Sequence, residues 1–590
     1  MTDQSPTTAR ADAPAADEPA ADEPDSTTGT DGRRTERWKD AAALGIISIV
    51  LLLPVGGLLR YQGPPMEEGF MLAFPEQILQ GRFPHRDFLH LYGPGSLYVL
   101  AAVFAVVGVS LTAERLVGLL QHAGVAFGLY ALLRPFGRRV ATASAVVSIL
   151  LLIGPAGLTA LAWNGALALG LCALAVATSA GRRPDASGTD ASGPDASRSG
   201  ERGTTVRLVV AGVLAGAALL YRPDMILAVG AGMAAVLWDL PKSRRMPLLI
   251  GAGASLLLYV PHLLISGIGA SFEGMFLEPV FSLRGGRALP VPPSWNEIDG
   301  FLQRAGALRT DGWPLPMLGL SKQISLWFWL VPISIAVDVV AAWRLRRRAP
   351  GSDRAKVLWP AALFTAALLP QALQRPDTTH LAWVTGISFA VMIPAVASLL
   401  EELGPRWTPT WRVTASCGVV AAILVLVIPF YPARTYVDLV GQTFGRNRFG
   451  APITNGDRTF YFGSAEGAAD AQRVTDALRE RAEDGESLIA GPTDLSRTNY
   501  NDSFFYFLFP DLVPGTRYIE MDPGLANTED SGLAEELLAN DWLILSGSSD
   551  LWSEPNESTE SGSQRPNEIV REHYCMVEDA GSFQLLQRCR

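Results

Sequence analysis

The stretch that decides the fold is PPMEEGFMLAFPEQILQGRFPHRDFLHLYGPG, residues 64–95, which lies between two apolar segments. It opens with two adjacent carboxylates, Glu67 and Glu68. Its second half carries a compact polar cluster, made of Arg86, Asp87, His90 and Tyr92. Ionisable groups concentrated at a membrane surface indicate a functional site. The alternative is a solvated loop with one or two ion pairs. We predict an active-site loop on the outer face of a membrane.

The apolar segments on either side define the class of protein. Aliphatic runs such as 41–59, 208–220 and 419–430 reach, or nearly reach, the length that crosses a bilayer as a helix, and the mean hydropathy of the chain is +0.21. We therefore predict an α-helical polytopic membrane protein with about 11–13 transmembrane helices. The net charge of −10 comes largely from the ends of the chain, and no basic domain or nucleic-acid motif is present. The lipid bilayer is an expected partner and nucleic acid is not.

The N-terminal segment is predicted to be cytoplasmic. Residues 1–39 are rich in Ala, Asp, Glu, Pro and Thr and read as a disordered acidic tail, because they bury too little apolar surface to offset chain entropy. Basic residues stand directly before the first span: Arg33, Arg34, Arg37 and Lys39. By the positive-inside rule they keep the N-terminus in the cytoplasm, so that the first external loop is 60–95.

The membrane domain is predicted to cover 40–431, with a flexible linker at 181–205 and a second external loop at 271–322. Arginines at 344–348 mark a cytoplasmic loop and place the C-terminal part outside. This topology needs an odd number of spans, whereas about twelve apolar segments can be counted. The conflict lies between Ser96 and Ala180, where Arg134, Arg138 and Arg139 favour the cytoplasmic side although counting places them outside.

Residues 432–590 are predicted to form an extracytoplasmic α/β domain. The segments SLIAG (487–491) and DWLILSG (541–547) have the composition of buried strands and alternate with helical segments. Cys575 and Cys589 flank a predicted hairpin, and a disulfide between them is expected if this domain lies outside the cytoplasm. Cys172 and Cys417 lie in apolar segments and are expected to pack there.

Three polar constellations fall on the same predicted face of the membrane: the 64–95 loop, Arg222-Pro223-Asp224, and residues 375–380. Each alone is also typical of a helix end with its cap. Carboxylates supply a general base, and arginine and histidine supply donors and positive charge for a phosphate. The catalytic candidates are Glu67, Glu68 and Asp87. The substrate-binding candidates are Arg86, His90, Tyr92, Arg222, Asp224, Arg375, Asp377 and His380.

The segments EEGF (67–70) and ILQGRFPHRDFLHLYGPG (78–95) resemble the first external loop of the multi-spanning glycosyltransferases of the C type (GT-C), relatives of protein O-mannosyltransferases and aminoarabinose transferases. In that superfamily an acidic pair, usually Asp-Glu, is followed by a juxtamembrane helix and a Pro-Tyr-Arg-Asp-like turn. Here the pair is Glu67-Glu68 and the turn is 84–87. The change from Asp-Glu to Glu-Glu leaves open which carboxylate is the base.

The resemblance implies transfer of a sugar from a polyprenyl-phosphate donor to an extracytoplasmic acceptor, which is a cell-wall glycan, a lipid or a protein. A carboxylate would take the acceptor proton, with inversion at the anomeric carbon, and arginines would stabilise the leaving phosphate. Some relatives recruit a divalent cation such as Mg or Mn, and this sequence has no decisive metal spacing. The plasma membrane is the expected location.

Two other classes of function remain open. A transporter or flippase for a lipid-linked or anionic solute explains the spans and the external arginines. It leaves the C-terminal α/β domain without a role, and the sequence shows no inverted repeat of the kind many carriers have. Within the spans the main ionisable candidate is Asp338. A scaffold without catalysis predicts that the loop carboxylates are dispensable.

Overall fold

The computed structural model describes residues 28–60, 62–180, 194–292, 318–446, 450–498, 500–550 and 554–589. A helical bundle is followed by a C-terminal α/β domain, which confirms the predicted fold class. Two segments lie outside the described residues: 1–27, the first part of the predicted tail, and 181–193, the first part of the predicted linker. Parts of both segments that were predicted to lack structure are helical, because the helices there begin at Thr28 and Pro194.

The first half of the bundle consists of α1 (Thr28–Leu52), α2 (Val55–Leu58), α3 (Pro65–Leu79), α4 (Gly95–Val107), α5 (Leu111–Leu133), α6 (Arg138–Ala156), α7 (Ala162–Ala180), α8 (Pro194–Tyr221) and α9 (Ile226–Asp239). The second half consists of α10 (Arg245–Leu256), α11 (Tyr259–Ser266), α12 (Ile268–Phe272), a π-helix (Glu273–Ser282), α13 (Arg284–Arg287), α14 (Leu320–Arg348), α15 (Asp353–Ala366), α16 (Leu369–Gln374), α17 (Thr378–Leu403), α18 (Pro409–Leu426) and α19 (Pro432–Thr443). The predicted loop 271–322 is thus helical where it begins, and 293–317 lies outside the described residues.

Ten helical segments in the described chain are long and apolar enough to cross a membrane. Charge pairs collect at one end of the bundle, which we call the arginine end. There Asp40, at the start of the first span, pairs with Arg134 and Arg138. These contacts place Arg134 and Arg138 on the same side as the start of the chain's first span and remove the conflict noted in the sequence.

The apolar segment that forms α4, near residues 96–109, is one of the roughly twelve segments counted as spans in the sequence. The structure contradicts its assignment as a span. Its first residue, Gly95, packs against the carbonyl of Leu220 at the end of α8. Helix α5 follows four residues after the end of α4, and in its first turns Arg115 donates a 2.9 Å hydrogen bond to the carbonyl oxygen of Leu58, at the end of α2. Both ends of α4 therefore lie at the end of the bundle opposite the arginine end, which we call the cavity end.

Helix α9 supplies an eleventh crossing. Its 14 residues span about 21 Å, and the 3₁₀ turn before it adds one further turn. It starts beside Asp224 at the cavity end, and it ends at Asp239, which pairs with Arg346 at 2.6 Å at the arginine end. Eleven crossings among the described residues leave the two ends of the membrane domain on opposite sides. Which side faces the cytoplasm stays a prediction.

Helix α3 carries the acidic pair and lies wholly at the cavity end. Pro65 occupies its first turn together with Glu67 and Glu68, as helix starts prefer, and Gly81 with a positive φ of 85° follows its end. The spacing of the apolar residues in 69–81 predicts a short amphipathic helix along the membrane surface. Instead the helix starts at Pro65 and is buried on nearly every side, since the C-terminal domain covers the face that would otherwise meet solvent.

The C-terminal domain contains β1 (Ala451–Asn455), β2 (Arg458–Phe462), α20 (Ala465–Arg479), β3 (Ser487–Pro492), α21 (Phe504–Leu508), β4 (Val513–Pro514), α22 (Leu533–Ala539), β5 (Trp542–Ser546), α23 (Arg565–His573), β6 (Tyr574–Ala580) and β7 (Phe583–Arg588). Its main sheet has the order β4-β3-β5-β7-β6, with β3 and β5 parallel. The predicted strands and their helices are confirmed. So is the disulfide Cys575–Cys589, which links the two strands of the final hairpin.

The C-terminal domain is fastened to α3 by direct contacts. Ser503 donates a hydrogen bond of 2.7 Å to the carbonyl oxygen of Met66. At the far end of the helix, Arg458 grips Glu76 through two bonds of 2.7 and 2.6 Å. Between them, Gly69 lies so close to the backbone of Phe504 that a Cβ would stand 2.4 Å from its nitrogen. Residues far apart in the chain therefore hold the helix of the acidic pair in one position.

Candidate active site

A cavity of about 430 Å³ lies at the cavity end, between the bundle and the C-terminal domain. The structure brings all three predicted constellations to it. The predicted residues that line it are Glu67, His90, Tyr92, Arg222, Asp224, Arg375, Asp377 and His380. Glu68, Arg86 and Asp87 do not line it.

The two adjacent glutamates have different surroundings, because neighbouring residues on a helix point about 100° apart. Glu68 faces α5, where both of its oxygens accept bonds of 2.7 Å from Arg115. The two side chains of this pair are 0% and 2% exposed. Glu67 faces the cavity. Glu68 therefore holds the fold together, and Glu67 is the member of the pair that can meet a substrate.

Arg86 and Asp87 form the turn that follows α3. The Asp87 carboxylate accepts a 2.7 Å bond from the backbone N–H of Phe83 and pairs with Arg86 at 2.8 Å. The Arg86 side chain is turned toward solvent. Asp87 thus closes the turn that leads the chain back toward His90, and it stands apart from the cavity as a structural residue.

Arg222 and Arg375 stand in matching local structures, Arg-Pro-Asp in both cases. A residue before proline is pushed out of the helical region, and both arginines are extended, with φ of −143° and −141°. Each motif therefore ends a helix and projects its arginine away from the helix axis. In each, the aspartate two residues later accepts a hydrogen bond from its own arginine, at 2.7 Å from Arg222 to Asp224 and 2.7 Å from Arg375 to Asp377.

The guanidinium of Arg222 is held between aromatic rings. It lies 4.1 Å from the ring centre of Tyr92 and 5.1 Å from that of Trp163, within the range of cation–π attraction. Asp224 also accepts a 2.5 Å bond from Gln371. The arginine is thereby fixed in orientation with its positive charge beside the cavity.

The second motif combines a helix cap with a cavity wall. Asp377 caps α17 by accepting the backbone N–H of His380, as the alternative interpretation expected, and it also contacts the His380 ring at 2.9 Å. Burial would raise the pKa of Asp377, but His380 and Arg375 outweigh it and bring the pKa down to about 2. Asp377 is therefore a permanent anion that orients Arg375 and His380.

His90 and Tyr92 form the wall next to α3. Burial, with His85 nearby, holds the pKa of His90 well below its usual range, so the ring is neutral at physiological pH. Burial likewise raises the pKa of the Tyr92 hydroxyl, which stays protonated. Both side chains can thus act as neutral hydrogen-bonding groups.

Helix α13 of the bundle and the C-terminal domain supply residues that the sequence analysis missed. They are Arg287, Tyr500, Glu520, Asp522 and Glu554. Arg287 pairs with Asp522, and Glu554 pairs with Arg375. A lone acidic residue in a soluble domain carries no periodic or motif signal, so only its tertiary position identifies it.

Among these residues Glu520 differs in its surroundings. It is 5% exposed, and its nearest ring nitrogen is Nδ1 of His90 at 3.9 Å. Burial raises the pKa of Glu520 to about 7, although Arg287 acts in the opposite direction. The cavity therefore contains a carboxyl group that is partly protonated near neutral pH.

One rim of the cavity is apolar and exposed. It is formed by the start of α9 and by the π-helix, and its exposed members are Ile226, Leu227, Phe276 and Val280. Ile226 and Leu227 are the first two residues of α9, one of the apolar helices of the bundle. The cavity thus joins an arginine-bearing polar interior to an apolar edge.

A metal centre needs several ligating side chains in one place. Within the described ranges, no three His, Cys, Asp or Glu side chains converge so as to hold a metal ion. The Mg or Mn ion that some relatives recruit stays an expectation of the resemblance.

No family model matches the chain, and no curated protein matches it. Among solved structures, ArnT from Cupriavidus metallidurans bound to undecaprenyl phosphate is similar over 92% of this chain and 98% of its own, with 14% identity and a TM-score of 0.48. The archaeal oligosaccharyltransferase AglB from Archaeoglobus fulgidus, in complex with an inhibitory peptide and a dolichol-phosphate, is similar over 93% of this chain and 74% of its own, with 12% identity and a TM-score of 0.46. Similarity at this level does not bear on the reaction.

Proposed function

We propose that this chain is a membrane glycosyltransferase that moves a sugar from a polyprenyl-phosphate donor to a hydroxyl group of an extracytoplasmic acceptor. The observation that carries the proposal is the composition of one cavity. It places the carboxylate of Glu67 together with the guanidinium groups of Arg222 and Arg375, next to an exposed apolar rim. A base, a phosphate site and a lipid-facing edge are the three parts that such a reaction needs.

The donor fits the cavity by its two chemical halves. The apolar rim suits the polyprenyl chain, which can stay among the lipids while its phosphate enters the polar interior. Planar guanidinium groups bind phosphate through paired hydrogen bonds. Asp224 and Asp377 keep the two arginines oriented before the phosphate arrives.

The chemistry is a single displacement. The acceptor oxygen attacks the anomeric carbon while Glu67 takes the hydroxyl proton, and the bond from that carbon to the phosphate oxygen breaks. The electron pair leaves with the polyprenyl phosphate, whose charge Arg222 and Arg375 stabilise. One displacement inverts the anomeric configuration. No protonation of the leaving group is needed, because a phosphate leaves as an anion.

The side of the membrane follows from charge. Arginines 344–348 lie at the end of α14 opposite the cavity, and positive charge favours the cytoplasm. We therefore propose that the cavity and the C-terminal domain face the exterior of the plasma membrane, with a cell-wall glycan, a lipid or a protein as acceptor and a hexose or a pentose as the transferred sugar.

Release of labelled polyprenyl phosphate from a panel of polyprenyl-phosphate sugars tests the proposal, with the purified protein in proteoliposomes and a cell-wall and membrane extract as the source of the acceptor hydroxyl. Arg222→Lys and Arg375→Lys should each weaken donor use roughly ten- to hundredfold, because a lysine lacks the planar fork. The matched control is Arg346→Lys. Arg346 holds Asp239 through two bonds, as Arg222 holds Asp224, but at the arginine end. It should leave donor use unchanged.

Two outcomes would contradict the proposal. If the wild-type protein consumes no donor of the panel but moves it across the proteoliposome membrane, the chain is a carrier. If Arg222→Lys and Arg375→Lys use the donor as well as Arg346→Lys does, the two arginines serve only to end their helices.

A further inference from the structure

A second cavity of about 440 Å³, here called the outer cleft, lies between the C-terminal sheet and the segment that precedes α3. Ser548 and Ser549, just after β5, border it, and so do Tyr500 and Asp502 in the long connection that follows β3. The start of α20 and the turn between β6 and β7 complete the border. The carboxyl ends of parallel strands are where ligands bind in open α/β sheets. The outer cleft is separate from the cavity of Glu67 and is not used in the proposed transfer.

The lining of the outer cleft points to the chemistry of its ligand. Its polar groups are hydroxyls, carboxylates and an amide, and among the described residues no lysine, arginine or histidine lines it. A phosphate or another anion would meet Glu466, Asp470 and Asp502 without a counter-charge. A ligand rich in hydroxyl groups can instead donate to these acceptors, while Tyr500 and Phe462 offer aromatic surfaces to its C–H groups.

Two buried acceptors in this lining receive no hydrogen bond from any residue that the structure describes. Gln62 is 3% exposed and its Oε1 has no partner, and Asp502 is 1% exposed and its Oδ1 has none. The other Asp502 oxygen accepts a 2.7 Å bond from Ser548. Leaving such atoms unsatisfied costs about 1–3 kcal/mol each, a cost that ligand hydroxyls would remove.

The outer cleft and the Glu67 cavity share a wall. Tyr500 lines both, and its hydroxyl oxygen accepts the backbone N–H of Met66 at 3.2 Å. Pro65 lines the outer cleft, whereas Met66 and Glu67 line the cavity. A ligand in the cleft is therefore held against the first turn of the helix that carries Glu67.

We propose that the outer cleft is a binding site for a neutral, hydroxyl-rich carbohydrate. The role of this ligand rests on the proposed function. If the chain transfers a sugar, the ligand is the part of the glycan acceptor that does not react. Asp502 and Gln62 accept hydrogen bonds from its hydroxyl groups, and Tyr500 packs against a sugar ring.

Binding of oligosaccharides to the full-length protein in nanodiscs tests the assignment, with titration calorimetry on fragments of arabinan, galactan, glucan and mannan. A uronic-acid oligomer serves as the anionic comparison. At least one neutral fragment should bind, and the anionic oligomer should bind more weakly. Gln62→Leu and Asp502→Asn should each weaken binding tenfold or more. The matched control Gln80→Leu, at the exposed far end of α3, should not.

The variants are also tested for folding by thermal unfolding. Gln62→Leu removes an acceptor that has no partner, so its melting temperature should not fall, and lost binding then reports the site itself. The assignment is overturned if no neutral fragment binds the wild-type protein, if the anionic oligomer binds better, or if both variants bind as Gln80→Leu does. Failure of the transfer proposal gives a different pattern, in which neutral fragments bind the outer cleft while no lipid-linked donor is consumed.

Discussion

Substitution of the two adjacent glutamates separates catalysis from stability within one turn of helix. Glu67→Gln keeps the size of the side chain and removes the carboxylate that faces the cavity. Its turnover should fall roughly 10²–10⁴-fold, the contribution of a positioned general base, while the melting temperature changes by about 1 °C or less. Glu68→Gln should do the reverse, because it breaks the bidentate pair with Arg115, whose side chains are 0% and 2% exposed.

The size of the Glu68 effect follows from burial. Removing one partner leaves the Arg115 charge uncompensated, at a cost of about 3–5 kcal/mol. For a chain of this length that corresponds to a drop of roughly 3–10 °C in melting temperature, depending on how much of the protein unfolds cooperatively. The bond from Arg115 to the Leu58 carbonyl remains, so the variant should still fold. A double variant, Glu68→Met with Arg115→Met, should be less destabilised than Glu68→Met alone, since neither member of the pair is left as a buried charge without its partner.

Both effects are measured on the same preparations, by thermal unfolding in one detergent and by release of polyprenyl phosphate in proteoliposomes. The rate of Glu68→Gln is taken well below its melting temperature, so that loss of folded protein does not count as loss of catalysis. Full turnover in Glu67→Gln would refute its assignment as the base. A catalytic loss confined to Glu68→Gln, without a change in melting temperature, would show that the roles are reversed.

Three further predictions concern the C-terminal domain. The disulfide Cys575–Cys589 closes a loop of about 15 residues, so replacing both cysteines by serine should lower the free energy of unfolding by roughly 3 kcal/mol. In intact cells a membrane-impermeant maleimide should label the wild-type protein only after reduction. Labelling only after lysis would contradict the external placement. The pKa of Glu520 rises from 4.5 to about 7, so the folded state holds a proton that the unfolded state releases between these values. Stability should therefore fall by about 3 kcal/mol from pH 4.5 to above pH 7, and Glu520→Gln should remove this decline in melting curves recorded at pH 5 and pH 8. Arg375→Ala should destabilise the protein by about 3 kcal/mol, and adding Glu554→Gln should recover part of the loss; additive effects in the double-mutant cycle would contradict their coupling.

Hydropathy and charge were sufficient to predict the class of fold, because a long apolar helix has few alternatives to a membrane. They were not sufficient at α4. Its apolar residues have the composition of a short span. Only the contact of Gly95 with α8, and the bond from Arg115 in α5 to Leu58 in α2, show that the chain enters and leaves α4 on one side. The span was misassigned because hydropathy shows only that a segment could cross a membrane, whereas its packing against other helices decides where it lies.

The sequence predicted only those parts of the candidate site that depend on local structure. The two Arg-Pro-Asp motifs were visible, since proline fixes the local backbone and the aspartate is a near neighbour. The difference between Glu67 and Glu68 was not, because it depends on Arg115, a buried charge in the first turns of α5 that no local pattern connects to the loop. Glu520 was missed since it belongs to a soluble domain whose position over the cavity is a property of the folded chain.

The contacts between the C-terminal domain and α3 have a consequence for the order in which the parts of the protein fold. Met66 is bound by Tyr500 and Ser503, partners that are 434 and 437 positions later in the chain. During synthesis α3 reaches its side of the membrane long before those residues exist, and its covered face then has only lipid and water to meet. The base of the proposed reaction therefore takes its final position only after the last part of the chain has been translocated and folded. If the proposed transfer holds, we expect a nascent or truncated chain that has already crossed the membrane to be inactive toward the lipid donor.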